Sequence, residues 1–362
     1  CYGAEKYKEV KKAFASAMVM GVLLSFLILG VSLVGYHPLL RFLKVPDEIY
    51  DLTGAYLKII LFSFPFTFLY NIITAALRSI GDSRTPIWFL ALSCGVNVVL
   101  DLLFVGKFGM SVIGAGLSTL IAEGISCILC MIYVYKKMPI LALGRKEWKP
   151  DTGIIRIVLK NGGVTALQQL MQPIGKILIQ GCINQYGVSV IAAFNAVNRV
   201  DDFACIPEQS ISHAMMTYIS QSVGVGNQEK KKEGFRKGLV LEVLYGILIF
   251  LVVFLFAQPI IHIFGSGKMA DIGANYLRCI AIFYILPGVT NGIQGYFRGI
   301  QKMKITLIST CIQISLRTIF VYTLVPHIGM NGAAYACAIG WSVMILYQIY
   351  IYRKMKRNNQ PD

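Results

Sequence analysis

Residues 13–35, AFASAMVMGVLLSFLILGVSLVG, run without a single charged side chain. About 20 apolar residues make one helical crossing of a bilayer. Further runs of this kind lie near 52–77, 86–105, 112–135, 161–185, 188–221, 238–262, 272–297, 304–325 and 331–352; the one at 188–221 is long and has a polar middle. Because the runs are continuous rather than short and alternating, they argue against a transmembrane β-barrel. They predict an all-α polytopic membrane protein with ten transmembrane helices. Composition agrees: 56% of the 362 residues are hydrophobic and 14% are charged, with a mean hydropathy of +0.64. A soluble domain of that balance would expose large apolar patches.

The formal charge of +16 raises the question of a nucleic-acid partner, but its distribution excludes one. Lys6, Lys8, Lys11 and Lys12 precede the first run, and Arg78 and Arg84 follow the second. Lys136, Lys137, Arg145, Lys146 and Lys149 follow the fourth; Lys230, Lys231, Lys232, Arg236 and Lys237 follow the sixth. Arg298, Lys302 and Lys304 follow the eighth, and Arg353, Lys354, Lys356 and Arg357 follow the last. The alternate loops hold only Arg41, Lys44, Lys107 and Lys268. This is the positive-inside pattern. It places both termini in the cytoplasm, and the plasma (inner) membrane is the expected location.

No catalytic or metal constellation emerges. Nine cysteines are scattered singly apart from Cys127 and Cys130, which lie in an apolar run with no histidine nearby. They read as small packing residues. His37, His213, His262 and His327 have no metal-ligand spacing. Nothing points to an enzyme or to a bound cofactor; membrane lipid and a small organic molecule are the expected partners, and the chain is expected to act as a monomer.

An internal repeat organises the chain. TGAYLKIILFSFPFTFLYNIITAALRSIGDSRTP aligns without gaps to GANYLRCIAIFYILPGVTNGIQGYFRGIQKMKIT at a shift of about 220 residues. Asn71 meets Asn291 and Arg78 meets Arg298, FGMSVIGAG parallels IGMNGAAY, and IYVYKK parallels IYIYRK. Residues 3–137 and 226–354 are therefore two copies of a four-helix unit, and parallel repeats of this kind mark many transporters. The stretch 161–221 adds two helices ahead of the second copy. Equal halves would require roughly 70 further residues before Cys1, so the expectation is ten helices of an original twelve. The predicted organisation is a truncated four-helix amino-terminal lobe at 1–137, a cytoplasmic linker with an interfacial amphipathic helix at 138–160, and a six-helix carboxyl-terminal lobe at 161–362.

The ordered set NIITAALRSIGDSRTP, NVVLD, GAGLSTLIAEG, INQYGVSVIAAFNAVNRVDDFACIP, YISQSVGVGNQEKKKEGFRK and GMNGAAYACAIG resembles the multidrug and toxic compound extrusion (MATE) family of cation-coupled antiporters. No one of these stretches is specific alone; the ordered set with the repeat is, and it spans the whole chain. The resemblance implies two pseudo-symmetric helical bundles around a central cavity, and export of amphipathic or cationic organic compounds driven by entry of Na+ or H+.

Asn97 and Asp101 stand about one helical turn apart in the apolar run 86–105. A carboxylate there must have a partner. The resemblance implies a cation site in the amino-terminal lobe formed by Asn71, Asn97, Asp101 and Thr119, with Asp101 and Asn97 as oxygen ligands of a sodium ion. Glu123 follows Thr119 by four residues on the same helix face and joins the set on physical grounds. The other reading is that Asn97 and Asp101 only hydrogen-bond across the bundle and fix helix packing. Arg317 and Val321 occupy their places in the second copy, which therefore cannot repeat the site. In the carboxyl-terminal lobe, Gln168, Gln172, Lys176, Asp202 and Glu208 are the candidates for a substrate cavity, with salt bridges such as Lys176–Asp202 or Arg199–Asp202 as the competing role. By the same resemblance Gln172 stands where a sodium-coupled branch carries a glutamate, which favours coupling through the other lobe.

The family's further acidic residue belongs to a first helix that this chain lacks, so the chain is expected to be inactive as it stands. Two alternatives remain: a lipid-linked oligosaccharide flippase of the same superfamily, which would line its cavity with several arginines, and a non-transporting membrane fragment.

Overall fold

The structure, a computed structural model, describes residues 1–144 and 147–357. Arg145 and Lys146, counted above among the cytoplasmic basic residues, lie outside the described residues. Helices account for nearly all of the chain: α1 Tyr7–Phe42, α2 Asp47–Ser79, α3 Arg84–Asp101, α4 Ser111–Lys137, α5 Thr152–Ile183, α6 Val188–Val225, α7 Gln228–His262, α8 Lys268–Ala281, α9 Ile285–Gly299, α10 Met303–Ile328 and α11 Asn331–Arg357. Among the described residues there is no strand.

Seven of these helices are long and apolar enough to cross a membrane, and α8 with α9, bent by 51° at their junction, make an eighth if they are one span. Although α5 and α6 are 32 and 38 residues long, they carry glutamines, acids and an arginine and do not qualify on composition. The apolar side chains of the spans point outward to an extent that water would not tolerate. Leu23, Phe26, Leu27, Val31 and Val34 on α1 are 59–82% exposed, and no residue of the apolar window of α3 is buried. Such surface belongs against lipid, and the protein is an integral membrane protein.

The repeat recurs in the helix boundaries. Tyr7 and Gln228, Asp47 and Lys268, Arg84 and Met303, and Ser111 and Asn331 begin corresponding helices about 220 residues apart. The copies differ where α2 is continuous through Pro65 while its counterpart breaks between Ala281 and Ile285. At that break Phe283, Tyr284 and Leu286 bond three residues back rather than four. Pro287 has no N–H to offer to the carbonyl of Phe283.

The chain divides into two compact units, Cys1–Val158 and Leu159–Asp362. In the first, Val10, Phe14, Ala15 and Met18 of α1 pack with Ile73 and Leu77 of α2 and Cys130 and Val134 of α4. Leu141 and Leu143, just past α4, are buried in this core, so the segment after α4 serves as a structural strap. Lys11 Nζ bonds both carboxylate oxygens of Glu147, at 3.2 and 3.1 Å, and Ser16 Oγ accepts from the Asp151 N–H at 2.9 Å. Beyond it the amphipathic stretch 152–160 continues unbroken into α5. The second unit centres on Phe194, Tyr276, Leu277, Tyr284, Val321 and Ala334.

Candidate functional site

Within the first unit the polar residues of the spans meet at the α3–α4 crossing. Asp101 closes α3, and the chain then widens into a π-helical turn, Leu102–Lys107, in which the Phe108 N–H reaches back to the Leu103 carbonyl. Single π-turns of this kind occur frequently at functional sites. Asp101 Oδ1 accepts a hydrogen bond from the Ser118 hydroxyl of α4. One turn back along α3, Asn97 Nδ2 lies 3.4 Å from Ser118 Oγ and 3.3 Å from Thr119 Oγ1. One turn further along α4, Glu123 accepts from the Thr67 hydroxyl of α2. Ser93, a turn before Asn97, donates to the Ala122 carbonyl at 3.3 Å.

The expected set is thus brought together in part. Asn97, Asp101 and Thr119 share one cluster, and Glu123 extends it toward α2. Asn71 does not join by any contact shown: it is exposed, and its backbone carbonyl accepts from the Thr74 hydroxyl. Ser118 and Thr67 are the two members that the sequence reading missed. Ser118 is fully buried, and its hydroxyl also lies 2.9 Å from the Ala115 carbonyl of its own helix.

Neither Asp101 nor Glu123 has an ion-pair partner among the described residues. The two carboxylates are answered by hydroxyls, Ser118 for Asp101 and Thr67 for Glu123, and the Asn97 amide stands beside Ser118 and Thr119. That donor set suits a hard, exchangeable cation or a proton. Among the described residues no group of three His, Cys, Asp or Glu side chains is placed to hold a metal ion.

The second unit does not repeat this site. Helix register places Pro287, Arg317, Val321, Ala338, Ile339 and Val343 opposite Thr67, Asn97, Asp101, Ser118, Thr119 and Glu123. Each hydroxyl or carboxyl is replaced.

The candidates for a substrate cavity separate into two groups. Lys176 and Asp202 form the expected ion pair at 2.8 Å with both side chains about half exposed or more, and Gln172 is exposed nearby on α5. Gln168 and Glu208, by contrast, are 4% and 1% exposed and lie inside the second bundle. Gln168 bonds Gln294 and Thr310 at 3.0 and 2.9 Å and accepts from Thr306 at 3.1 Å. Glu208 accepts from Asn291 at 3.2 Å. A buried polar side chain needs partners, and helices α9 and α10 supply them.

With this geometry in view, comparison with known proteins is decisive. The sequence profile of the MatE family matches residues 1–103 and 165–323. The chain belongs to the MatE family. It is 30% identical over 316 residues to a probable multidrug resistance protein, YpnP, of Bacillus subtilis (strain 168), covering 84% of this chain and 70% of that one. It is 22% identical to the multidrug export protein MepA of Staphylococcus saprophyticus, over 95% of this chain and 75% of that one. A crystal structure described as MATE in the bent conformation superposes with a TM-score of 0.92 at 20% identity, covering 98% of this chain and 81% of that one. The helical fold of this MatE chain is therefore that of MATE transporters.

Proposed function

We propose that this MatE protein is a cation-coupled antiporter that exports amphipathic or cationic organic compounds, with Asp101 as the group that meets the coupling ion. The observation that carries the reading is the Asp101–Ser118–Asn97–Thr119 cluster, in which an acid in an apolar run is answered by the Ser118 hydroxyl, itself beside the Asn97 amide, and by no basic side chain in an ion pair among the described residues. The relatives named for multidrug resistance and export supply the substrate class.

Ion binding at Asp101 would draw the carboxylate, the Asn97 amide oxygen and the Ser118 and Thr119 hydroxyls onto one positive charge. Ser118 is suited to this, since its single proton can turn to the Ala115 carbonyl and free its oxygen for a cation. Coupling then requires that the ion favour a conformation with weaker affinity for the organic substrate, because only differential affinity shifts such an equilibrium. The exposed set Gln172, Lys176 and Asp202 is the proposed contact for substrate. A cationic compound would compete with Lys176 for Asp202.

The test is transport of a fluorescent organic cation by proteoliposomes containing the purified chain, under an imposed sodium gradient and, separately, an imposed proton gradient. Substrate movement against its own gradient in at least one condition supports the reading and counts against the expectation that the chain is inactive as it stands. Movement indifferent to both gradients contradicts it.

A further inference from the structure

Of the four lysines and arginines in the sparsely charged loops, Arg41, Lys44, Lys107 and Lys268, two converge where α1 turns into α2. Arg41 and Lys44 line one open cavity of about 340 Å³ together with Val45, Asp47 and Tyr50. Arg41 stands six residues past Gly35, the end of the uncharged run 13–35, or about 9 Å along the helix. That is the depth of lipid headgroups rather than of hydrocarbon.

The turn fixes where the two cations leave the backbone. The Lys44 N–H bonds the Arg41 carbonyl at 3.0 Å, and the Val45 N–H reaches the Leu40 carbonyl at 3.2 Å, which closes α1. Lys44 takes the left-handed conformation, φ 52°, that such a helix end usually reserves for glycine. The tyrosine wall is also held: the Tyr50 hydroxyl lies 3.0 Å from His37 Nδ1, and the His37 ring packs on Tyr36.

Neither cation has an ion-pair partner among the described residues. Asp47 shares the cavity, but with Glu48 it occupies the first turn of α2, where a carboxylate answers the helix N-terminus. Arg41 in turn offsets the last carbonyls of α1; Lys44, beyond the helix, has no such role. The cavity therefore offers two exposed positive charges against one acid, and its complement is an anion.

The neighbouring side chains say which anion. Leu39, Phe42, Leu43 and Ile49, on the same turn and helix ends, are 48–83% exposed. A free phosphate would meet the cations and leave this apolar surface bare. An anionic phospholipid covers both, with its headgroup in the cavity and its chains against the apolar side chains.

We propose that the α1–α2 turn is a binding site for an anionic phospholipid, whose phosphate lies between Arg41 and Lys44 and whose acyl chains run along Phe42 and Leu43. A seated lipid ties the end of α1 to the start of α2. The site is independent of the Asp101 cluster and of whether the chain couples transport to an ion.

Native mass spectrometry of the purified full chain in detergent, with phosphatidylglycerol or phosphatidylcholine of identical acyl chains added, reads the lipids that remain bound. The parent protein should retain phosphatidylglycerol over phosphatidylcholine. Arg41→Gln combined with Lys44→Gln should weaken the most tightly held phosphatidylglycerol by about fivefold per cation removed. Lys107→Gln and Lys268→Gln should leave it unchanged. Lys44→Gly removes the ammonium while easing the left-handed turn, so weaker retention by this variant is not a loss of fold. Equal retention of the two lipids by the parent, or parent-like retention by Lys44→Gly and by the double variant, overturns the proposal. Inorganic phosphate replacing chloride at constant ionic strength should not displace the lipid; displacement would assign the cavity to a free anion and overturn the lipid reading.

Discussion

Ser118 on α4 donates its hydroxyl to Asp101 on α3, and its oxygen also faces the Asn97 amide at 3.4 Å. One buried serine therefore joins Asn97 and Asp101 of α3. Ser118→Ala should leave Asp101 without that donor. Since a hydrogen bond to a charged group contributes roughly 1.5–3 kcal/mol, ion dependence of transport should weaken by about tenfold or more. Ser118→Thr, which keeps the hydroxyl, should recover most of it. Half-maximal ion concentrations for transport by the two variants provide the check.

The α6–α9 crossing rests on a missing side chain. A Cβ on Gly295 would stand 2.6 Å from the Ser212 carbonyl oxygen, a backbone atom that cannot swing aside. Gly295→Ala should destabilise the second unit by about 1–3 kcal/mol, the usual range for overpacking. The thermal midpoint of the purified protein should fall accordingly, whereas Gly163→Ala, with open space around it, should not lower it.

Lys176 and Asp202 meet at 2.8 Å, but their side chains are 48% and 66% exposed. An exposed pair of this kind contributes about 0.2–1 kcal/mol and is screened by salt. Asp202→Asn should therefore move the thermal midpoint little, and less still in high salt, while changing which cationic compounds are carried. Equal transport of every compound would remove Asp202 from the substrate contact.

The strap after α4 should respond to acid. The Gly144 N–H, 2.7 Å from Glu147 Oε2, and the Lys11 ammonium beside it hold the Glu147 carboxyl below its ordinary range. A carboxyl depressed in the fold stabilises above its unfolded pKa and loses that contribution as pH falls through the folded value. The strap should be held at neutral pH and released below roughly pH 4. Proteolysis in the 138–151 segment should rise over that window, and Lys11→Met should weaken the dependence.

Much of this molecule was legible in one dimension because a bilayer demands long apolar runs and a repeat copies them. Asn97 and Asp101 stood out because polar groups at helical spacing in apolar surroundings are conspicuous; Thr119 came only from the family resemblance, and Glu123 from its place four residues further on the same face. Ser118 and Thr67 were not conspicuous, since hydroxyls in apolar helices commonly bond to their own backbone and carry no such signal. Gln168 and Glu208 were recognisable as polar but not as interior. Their partners Thr310 and Asn291 are 142 and 83 residues away. The break between α8 and α9 was equally hidden, because a proline marks it in one copy while Pro65 leaves α2 continuous.

The central claim is that the Asp101 carboxylate meets the coupling ion, and Asp101→Asn tests it with shape preserved and charge removed. The measurement is the rate of fluorescent cation transport by proteoliposomes under an imposed sodium or proton gradient, with equal protein incorporated and equal helix content. The account predicts that gradient-driven transport by Asp101→Asn falls to the level of empty liposomes while the protein remains folded. Transport at the unsubstituted rate would mean that Asp101 and Ser118 only hold α3 and α4 together.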